Sequence, residues 1–230
     1  FSKVKFTKAD INNDQKCIDI GKNTGLFHLA WEGLPNYNSA HHYEENLPNN
    51  YNFIKKMVQS GIRQVLVSGT CFEYGFQSGP ISSSTKTNPS NSYAIAKDNL
   101  HQHLNLFNKN TPFLFQWARL FYMYGNGQNP TSIIAQLDHA INNNETQFNM
   151  SGGEQLRDYL PIREVVEQLH KLFENSQAGT YNVCSGQPIS IRCLVEARKL
   201  EKKSEINLNI GYYSYQDYEP MAFWGIKDIN

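Results

Sequence analysis

Tyr93 and Lys97, in the stretch Tyr93-Ala-Ile-Ala-Lys97, have the types and spacing to do chemistry together. Side chains four apart share one face of a helix. A lysine ammonium placed there lowers the pKa of a phenol and makes it a usable acid or base near neutral pH. Upstream, the apolar run Gln64-Val-Leu-Val-Ser68 ends in Gly69-Thr70, and a hydroxyl at that strand end can polarise the same oxygen that the phenol serves. Three side chains aimed at one oxygen are what hydride chemistry at a carbinol or ketone needs. The spacing alone is weak, because Tyr51 and Lys55 repeat it and read as a core tyrosine with a solvated lysine. Tyr93 differs in context: a strand ending in small hydroxyl residues, an intervening loop, and a helix that opens at the tyrosine.

Such a helix and strand end must be held by a sheet. Apolar runs alternate with amphipathic stretches along the chain, the sign of a parallel sheet flanked by helices. Strands are expected at 25–31, 64–68, 113–118, 147–150 and 179–183. Helices are expected at 46–60, 93–107, 132–142, 162–175 and 191–200. A loop rich in Asn, Tyr, His and Pro fills 32–45, and a Tyr-rich tail closes the chain. The predicted fold is α/β, a doubly wound parallel sheet with a smaller C-terminal lobe. Residues 1–125 form its dinucleotide-binding part and 126–230 mainly the lobe, with 159–185 returning to the sheet. In such sheets the site lies at the C-terminal ends of the strands.

At 230 residues the chain can build one substantial core with a small appended lobe. Its formal net charge is zero and its lysines and arginines are scattered, which argues against a nucleic-acid partner. The four cysteines show no C-x-x-C pair and no metal-type spacing, so no metal is expected. His41-His42 with Glu44-Glu45 reads as a polar surface loop. Arg119 reads as a structural ion pair, and His101 and His103 as incidental. No run approaches membrane-spanning length and no basic-then-apolar leader is present. The cytoplasm is the expected location. Residues 1–10 read as the interior of a domain, as in a truncated chain.

Several segments in order carry a family resemblance: Ala9-Asp10-Ile11, His28-Leu29-Ala30, Ser68-Gly-Thr-Cys-Phe-Glu-Tyr-Gly75, Tyr93-x-x-x-Lys97, Arg119-Leu-Phe-Tyr-Met-Tyr-Gly125, Gly153-Glu-Gln-Leu-Arg-Asp-Tyr159 and Tyr181-Asn-Val-Cys-Ser-Gly186. Together they resemble the extended short-chain dehydrogenases/reductases that modify nucleotide sugars, the epimerase, dehydratase and 4-keto-reductase group. The resemblance implies a Rossmann-like fold, NAD or NADP as cofactor, and Thr70, Tyr93 and Lys97 as catalytic residues. It implies cofactor contacts from Asp10, Ile11, Leu29, Ala30, Tyr93, Lys97 and Phe121. Substrate contacts are implied for Thr70, Tyr122 and Arg157, with the arginine gripping the nucleotide diphosphate. A surface Arg157-Asp158 pair capping the following helix is the structural alternative. A homodimer through the Tyr93 helix and its predecessor is a further expectation.

The departures from that family also bear on function. The Gly-x-x-Gly-x-x-Gly turn that lets the backbone approach the pyrophosphate does not occur in the chain, nor do the first strands. Tyr122 stands where the family has Asn. Cys71 and Phe72 stand where the 4,6-dehydratases place an Asp-Glu pair, and Glu73 comes one position too late. The implied activity is therefore NAD(P)-dependent reduction of a 4-keto-6-deoxy-hexose nucleotide at C4. Nucleotide-sugar 4-epimerisation, or a silent remnant that only binds a nucleotide sugar or a partner, is the alternative.

Overall fold

A computed structural model describes residues 4, 6–8, 10, 11, 24–215 and 220–228. In chain order the elements are β1 (Gly25–His28), a π-helical turn His42–Asn46 running into α1 (Leu47–Gln59), β2 (Gln64–Thr70), a 3-10 turn Cys71–Tyr74, β3 (Gly79–Ile81), α2 (Ser92–Asn110), β4 (Leu114–Leu120) and β5 (Tyr122–Tyr124). There follow α3 (Ile133–Asn142), β6 (Gln147–Asn149), β7 (Leu156–Arg157), β8 (Tyr159–Pro161), α4 (Ile162–Asn175), β9 (Gly179–Val183), β10 (Ile189–Ser190), α5 (Ile191–Glu201), β11 (Asn207–Asn209) and β12 (Ala222–Gly225).

The central sheet has the order β1-β2-β4-β9 and every pairing is parallel. Successive side chains of a strand point to opposite faces, and the sequence uses both. Val65, Val67, Phe115 and Trp117 face Ile54, Met57 and Val58 of α1 and Leu100, Leu104 and Phe107 of α2. Leu66, Ala118 and Val183 face Val165, Leu169 and Leu172 of α4. Burial on both faces explains why the strands read as continuous apolar runs. The result is a doubly wound, Rossmann-like α/β sheet. β9 and α4 join it after the chain has passed through α3 and β6.

A separate apolar cluster joins Leu137 and Ala140 of α3, Phe148 and Met150, Ile191 and Val195 of α5, and Ile206. A second, short-stranded sheet, β10-β7-β12-β3, lies beside it. The tail therefore does more than supply aromatic rings: β12 pairs with β3 (Phe223↔Gly79) and with β7 (Phe223↔Arg157). Tyr212 and Tyr213 are exposed, and Tyr218 lies outside the described residues.

The expected loop at 32–45 is corrected in its second half. His42 is completely buried, not on the surface. Its Nε2–H donates to Asn36 O at 2.8 Å, and its Nδ1 accepts from Trp31 Nε1–H at 3.2 Å and Asn46 Nδ2–H at 3.3 Å. With both ring nitrogens bonded, the buried imidazole leaves neither of its polar atoms unmet. His41 stays half-exposed against Glu32 and Glu45.

Candidate active site

Strand register sets the site. His28 pairs with Val67, Thr70 with Leu120, and Leu120 with Val183, so three strands end side by side. α2 begins above them. Its Asn91 cap accepts from Ala94 N–H at 2.9 Å, the usual way a helix start satisfies an unpaired amide. Tyr93 N–H donates to Tyr37 O at 2.9 Å and Ser92 Oγ to Asn38 O at 3.2 Å, tying the loop after β1 to the same helix start.

Thr70, Tyr93 and Lys97 converge on one cavity of about 360 Å³. All three are buried. The Thr70 hydroxyl lies beside the Tyr93 phenol and favours its ionised form. Lys97 Nζ donates to Ser68 O at 2.7 Å and lies 4.2 Å from the centre of the Trp31 ring. Trp31, Tyr37, Phe72, Tyr122 and Tyr159 supply aromatic walls. Trp31 and Tyr37 pack on Tyr93 with centroids 5.9 and 5.7 Å away, and His42 stands behind at 5.5 Å.

The electrostatics correct one expectation. Burial, not the lysine, dominates Tyr93: it raises the phenol above its usual range, helped by Glu73, Cys71 and Tyr37, while the Thr70 bond pulls the other way. Lys97 is itself lowered to about 7 by burial, with Glu73 opposing. His28, next to the strand end, is lowered to about 4 by burial and by Lys97, against its 2.6 Å bond with Asn50 Oδ1. At neutral pH the phenol carries its proton, and Lys97 is poised to gain or lose its own. The site is thus a proton donor beside a titrating cation.

Leu29 and Phe121 line the cavity, as does Tyr122. Ala30 does not; the chain has left the sheet after His28, and Ala30 is exposed. Asp10 is exposed, Ile11 is half-buried in a turn, and neither lines the cavity; Ala9 lies outside the described residues. Arg157 is buried, with Nη1 donating to Leu156 O at 3.0 Å and its guanidinium 5.9 Å from the Tyr122 ring. It stands behind Tyr122, not in a surface pair. Asp158, fully buried, accepts from the Ser185 and Gly186 amides at 2.7 and 2.9 Å. It therefore caps that turn and not α4.

Sequence reasoning missed Trp31, Tyr37, His42, Ser132 and Tyr159. The aromatic density of the loop after His28 was a usable signal for the first three. Ser132 had none, and Tyr159 closes the segment Gly153–Tyr159, which was read for its arginine alone. Ser132 Oγ is buried and has no hydrogen-bond partner among the described residues. A polar atom left unmet in a cavity wall suits a site that closes on a ligand. Glu73, Asp98 and His101 bring ligand-type atoms within 4.8 Å of one another, but Arg119 Nε already occupies Glu73 at 2.7 Å. His101 Nε2 bonds Thr180 Oγ1 at 3.2 Å, and its ring stacks on Trp117.

A crevice at the carboxyl ends of parallel strands, with a buried Tyr–Lys pair and a strand-end hydroxyl, defines an oxidoreductase-type site on a Rossmann-like sheet. Residues 2–184 match the model of the NAD dependent epimerase/dehydratase family, and the chain belongs to that family. It is 32% identical over 217 residues to a dTDP-6-deoxy-L-talose 4-dehydrogenase (NAD(+)) of Aggregatibacter actinomycetemcomitans, covering 94% of this chain and 80% of that protein. Among solved structures, a UDP-N-acetylglucosamine 4-epimerase from Methanobrevibacter ruminantium in complex with UDP-N-acetylmuramic acid shares the fold. It matches with a TM-score of 0.77 at 20% identity, over 88% of this chain and 68% of that one. RMD from Pseudomonas aeruginosa, complexed with NADPH, matches at 0.71 and 21%, over 80% and 66%.

The family's dinucleotide fits the residues present at its nicotinamide end. Leu29, Phe121, Tyr93 and Lys97 bound a crevice where the strands end, the place where open α/β sheets take such ligands. Among the described residues no helix is long and apolar enough to cross a membrane.

Proposed function

We propose that this protein reduces the C4 ketone of a nucleotide-activated 6-deoxy-hexose, using NADH or NADPH. The observation that carries the reading is the convergence of buried Tyr93, Thr70 and, one helical turn on, Lys97 on one cavity at the strand ends. The nicotinamide, when bound, supplies the hydride. Tyr93 gives its phenolic proton to the C4 oxygen, and Thr70 holds that oxygen in line. The Lys97 ammonium steadies the phenolate left behind and, with Leu29 and Phe121, holds the cofactor's ribose end. Tyr122 faces the sugar, and Arg157, standing behind it, is the cation that meets the diphosphate as the ligand seats. Residues 1–125 then serve as the dinucleotide-binding part and 126–230 as the substrate lobe, with 159–185 shared.

Dehydration is disfavoured by the pair after Thr70. The Cys71 thiol is pushed far up by burial and by Glu73, and Phe72 has no proton to exchange. The aromatic walls suit a methyl at C6 better than a hydroxymethyl. The named relative acts at C4 of a 6-deoxy sugar nucleotide, which supports both points. Tyr93→Phe keeps the ring and its packing but removes the proton. It is expected to lower turnover by about 10²–10⁴-fold while calorimetric binding of the nucleotide sugar stays nearly intact. Unchanged turnover would refute the assignment.

A further inference from the structure

Glu73 has no step in the reaction above, yet it is completely buried. Its carboxylate accepts from Thr70 N–H at 2.8 Å, from Trp117 Nε1–H at 3.0 and 3.1 Å, and from Arg119 Nε–H at 2.7 Å. Every partner is a donor, which suits an ionised, acceptor-only carboxylate. Arg119 continues the chain of bonds: its Nη1 donates to Tyr74 Oη at 3.1 Å, and Tyr74 Oη donates to Asn182 Oδ1 on β9 at 2.6 Å. The turn after Thr70 is thereby tied to β4 and β9 without using the Thr70 hydroxyl.

Gly69 is part of the same device. A Cβ there would lie 2.3 Å from Trp117 Nε1 and 2.6 Å from Glu73 Oε1. The resembling family carries a hydroxyl residue in this stretch; here glycine leaves room for the carboxylate to lie against the strand end. Thr70 Oγ1 also accepts from Phe72 N–H at 3.3 Å, within the turn that Glu73 fixes.

We propose that Glu73 is a positioning residue: by holding the Thr70 amide and the Cys71–Tyr74 turn against β4, it aims the Thr70 hydroxyl at Tyr93. The proposal rests on the roles given above to Thr70 and Tyr93. Misplacing a reacting group by about 1 Å can cost roughly 100-fold in rate, so the hold on the backbone matters as much as the hydroxyl itself.

A double-mutant cycle between Glu73→Gln and Thr70→Val in the full native protein tests it. The readouts are kcat and KM for reduction of a nucleotide 4-keto sugar, with calorimetric Kd for a nucleotide sugar. Glu73→Gln should lower kcat by about 10- to 100-fold, leaving KM and Kd within about twofold. Once Thr70→Val is present, the same change should cost less than about twofold more. Should Glu73→Gln fail to fold, Glu73→Leu with Arg119→Met removes both charges without leaving one buried alone. That pair should show the same kcat loss and the same dependence on Thr70. An equal loss with and without Thr70→Val, or one confined to KM, would overturn the positioning role while the proposed function stood. Absence of C4 turnover in the unsubstituted protein would overturn the proposed function and this inference with it.

Discussion

Lys97 makes activity and stability move in opposite directions with pH. Burial lowers its ammonium from 10.5 to about 7, because a charge fully enclosed by protein loses its hydration. If the charged form is what steadies the Tyr93 phenolate, reduction tracks the protonated fraction. That fraction falls from about one half at pH 7 to about one hundredth at pH 9, so kcat should drop roughly 50-fold across the interval. Stability has the other sign. Between pH 7 and 10.5 the unfolded lysine keeps a proton that the folded one has released, so unfolding free energy rises with pH. From pH 7 to 8 the gain is about 1 kcal/mol. Above pH 8 it is eroded, since the buried Cys71 and Cys184 thiols are pushed up and their unfolded counterparts begin to ionise. The assay pairs steady-state reduction, followed by nicotinamide absorbance, with urea denaturation at each pH. Lys97→Met should remove the pH 7–8 stability gain as well as most activity. A kcat that stays flat to pH 9, or a stability that falls between pH 7 and 8, would refute the reasoning.

Two further substitutions probe the surroundings. Gly69→Ala should destabilise the protein by about 1–3 kcal/mol in urea denaturation, because the added methyl overpacks against Trp117 and Glu73. Arg157→Lys should weaken nucleotide-sugar binding by about tenfold in calorimetry with kcat little changed, since lysine cannot match bidentate bonding to a diphosphate. A nucleoside 5′-monophosphate should feel that change less.

The long elements were legible because their burial is periodic. In α4, Val165, Leu169 and Leu172 repeat at helical spacing, and the expected span 162–175 coincides with Ile162–Asn175. β9 likewise matches its expected 179–183. β3, β7, β10, β11 and β12 run two to four residues each, too short to show a period, and their partners lie far away in the chain. Phe223 pairing with Gly79 is decided by the folded lobe and not by either segment. The site divides in the same way. The meeting of Thr70, Tyr93 and Lys97 in one cavity was legible from a strand end and a helix start. The Glu73–Arg119 contact depends on the register that sets Gly69 beside Arg119, and no local pattern encodes that register. His42 was misread because its burial depends on Asn36 and Trp31 folding over it.

Tyr51 and Lys55 show why spacing alone decides so little. They have the same four-residue interval on α1, and there Lys55 Nζ lies 5.9 Å from the centre of the Tyr51 ring itself. Around Tyr93 the lysine turns away to Ser68 O and the Trp31 face, and the phenol is left to Thr70. In the proposed reaction Lys97 acts less by lowering the resting phenol's pKa than by being ready when that phenol loses its proton. A buried, protonated phenol parts with its proton only when a stronger base forms beside it, and an oxyanion at C4 is such a base. The same burial holds back the reverse step, because oxidation of a C4 carbinol needs Tyr93 ionised before the proton can leave. The reductive rate should therefore dominate at neutral pH, and the oxidative rate should grow as the medium turns alkaline. If carbinol oxidation ran fastest below pH 7, the raised phenol would not be the proton carrier.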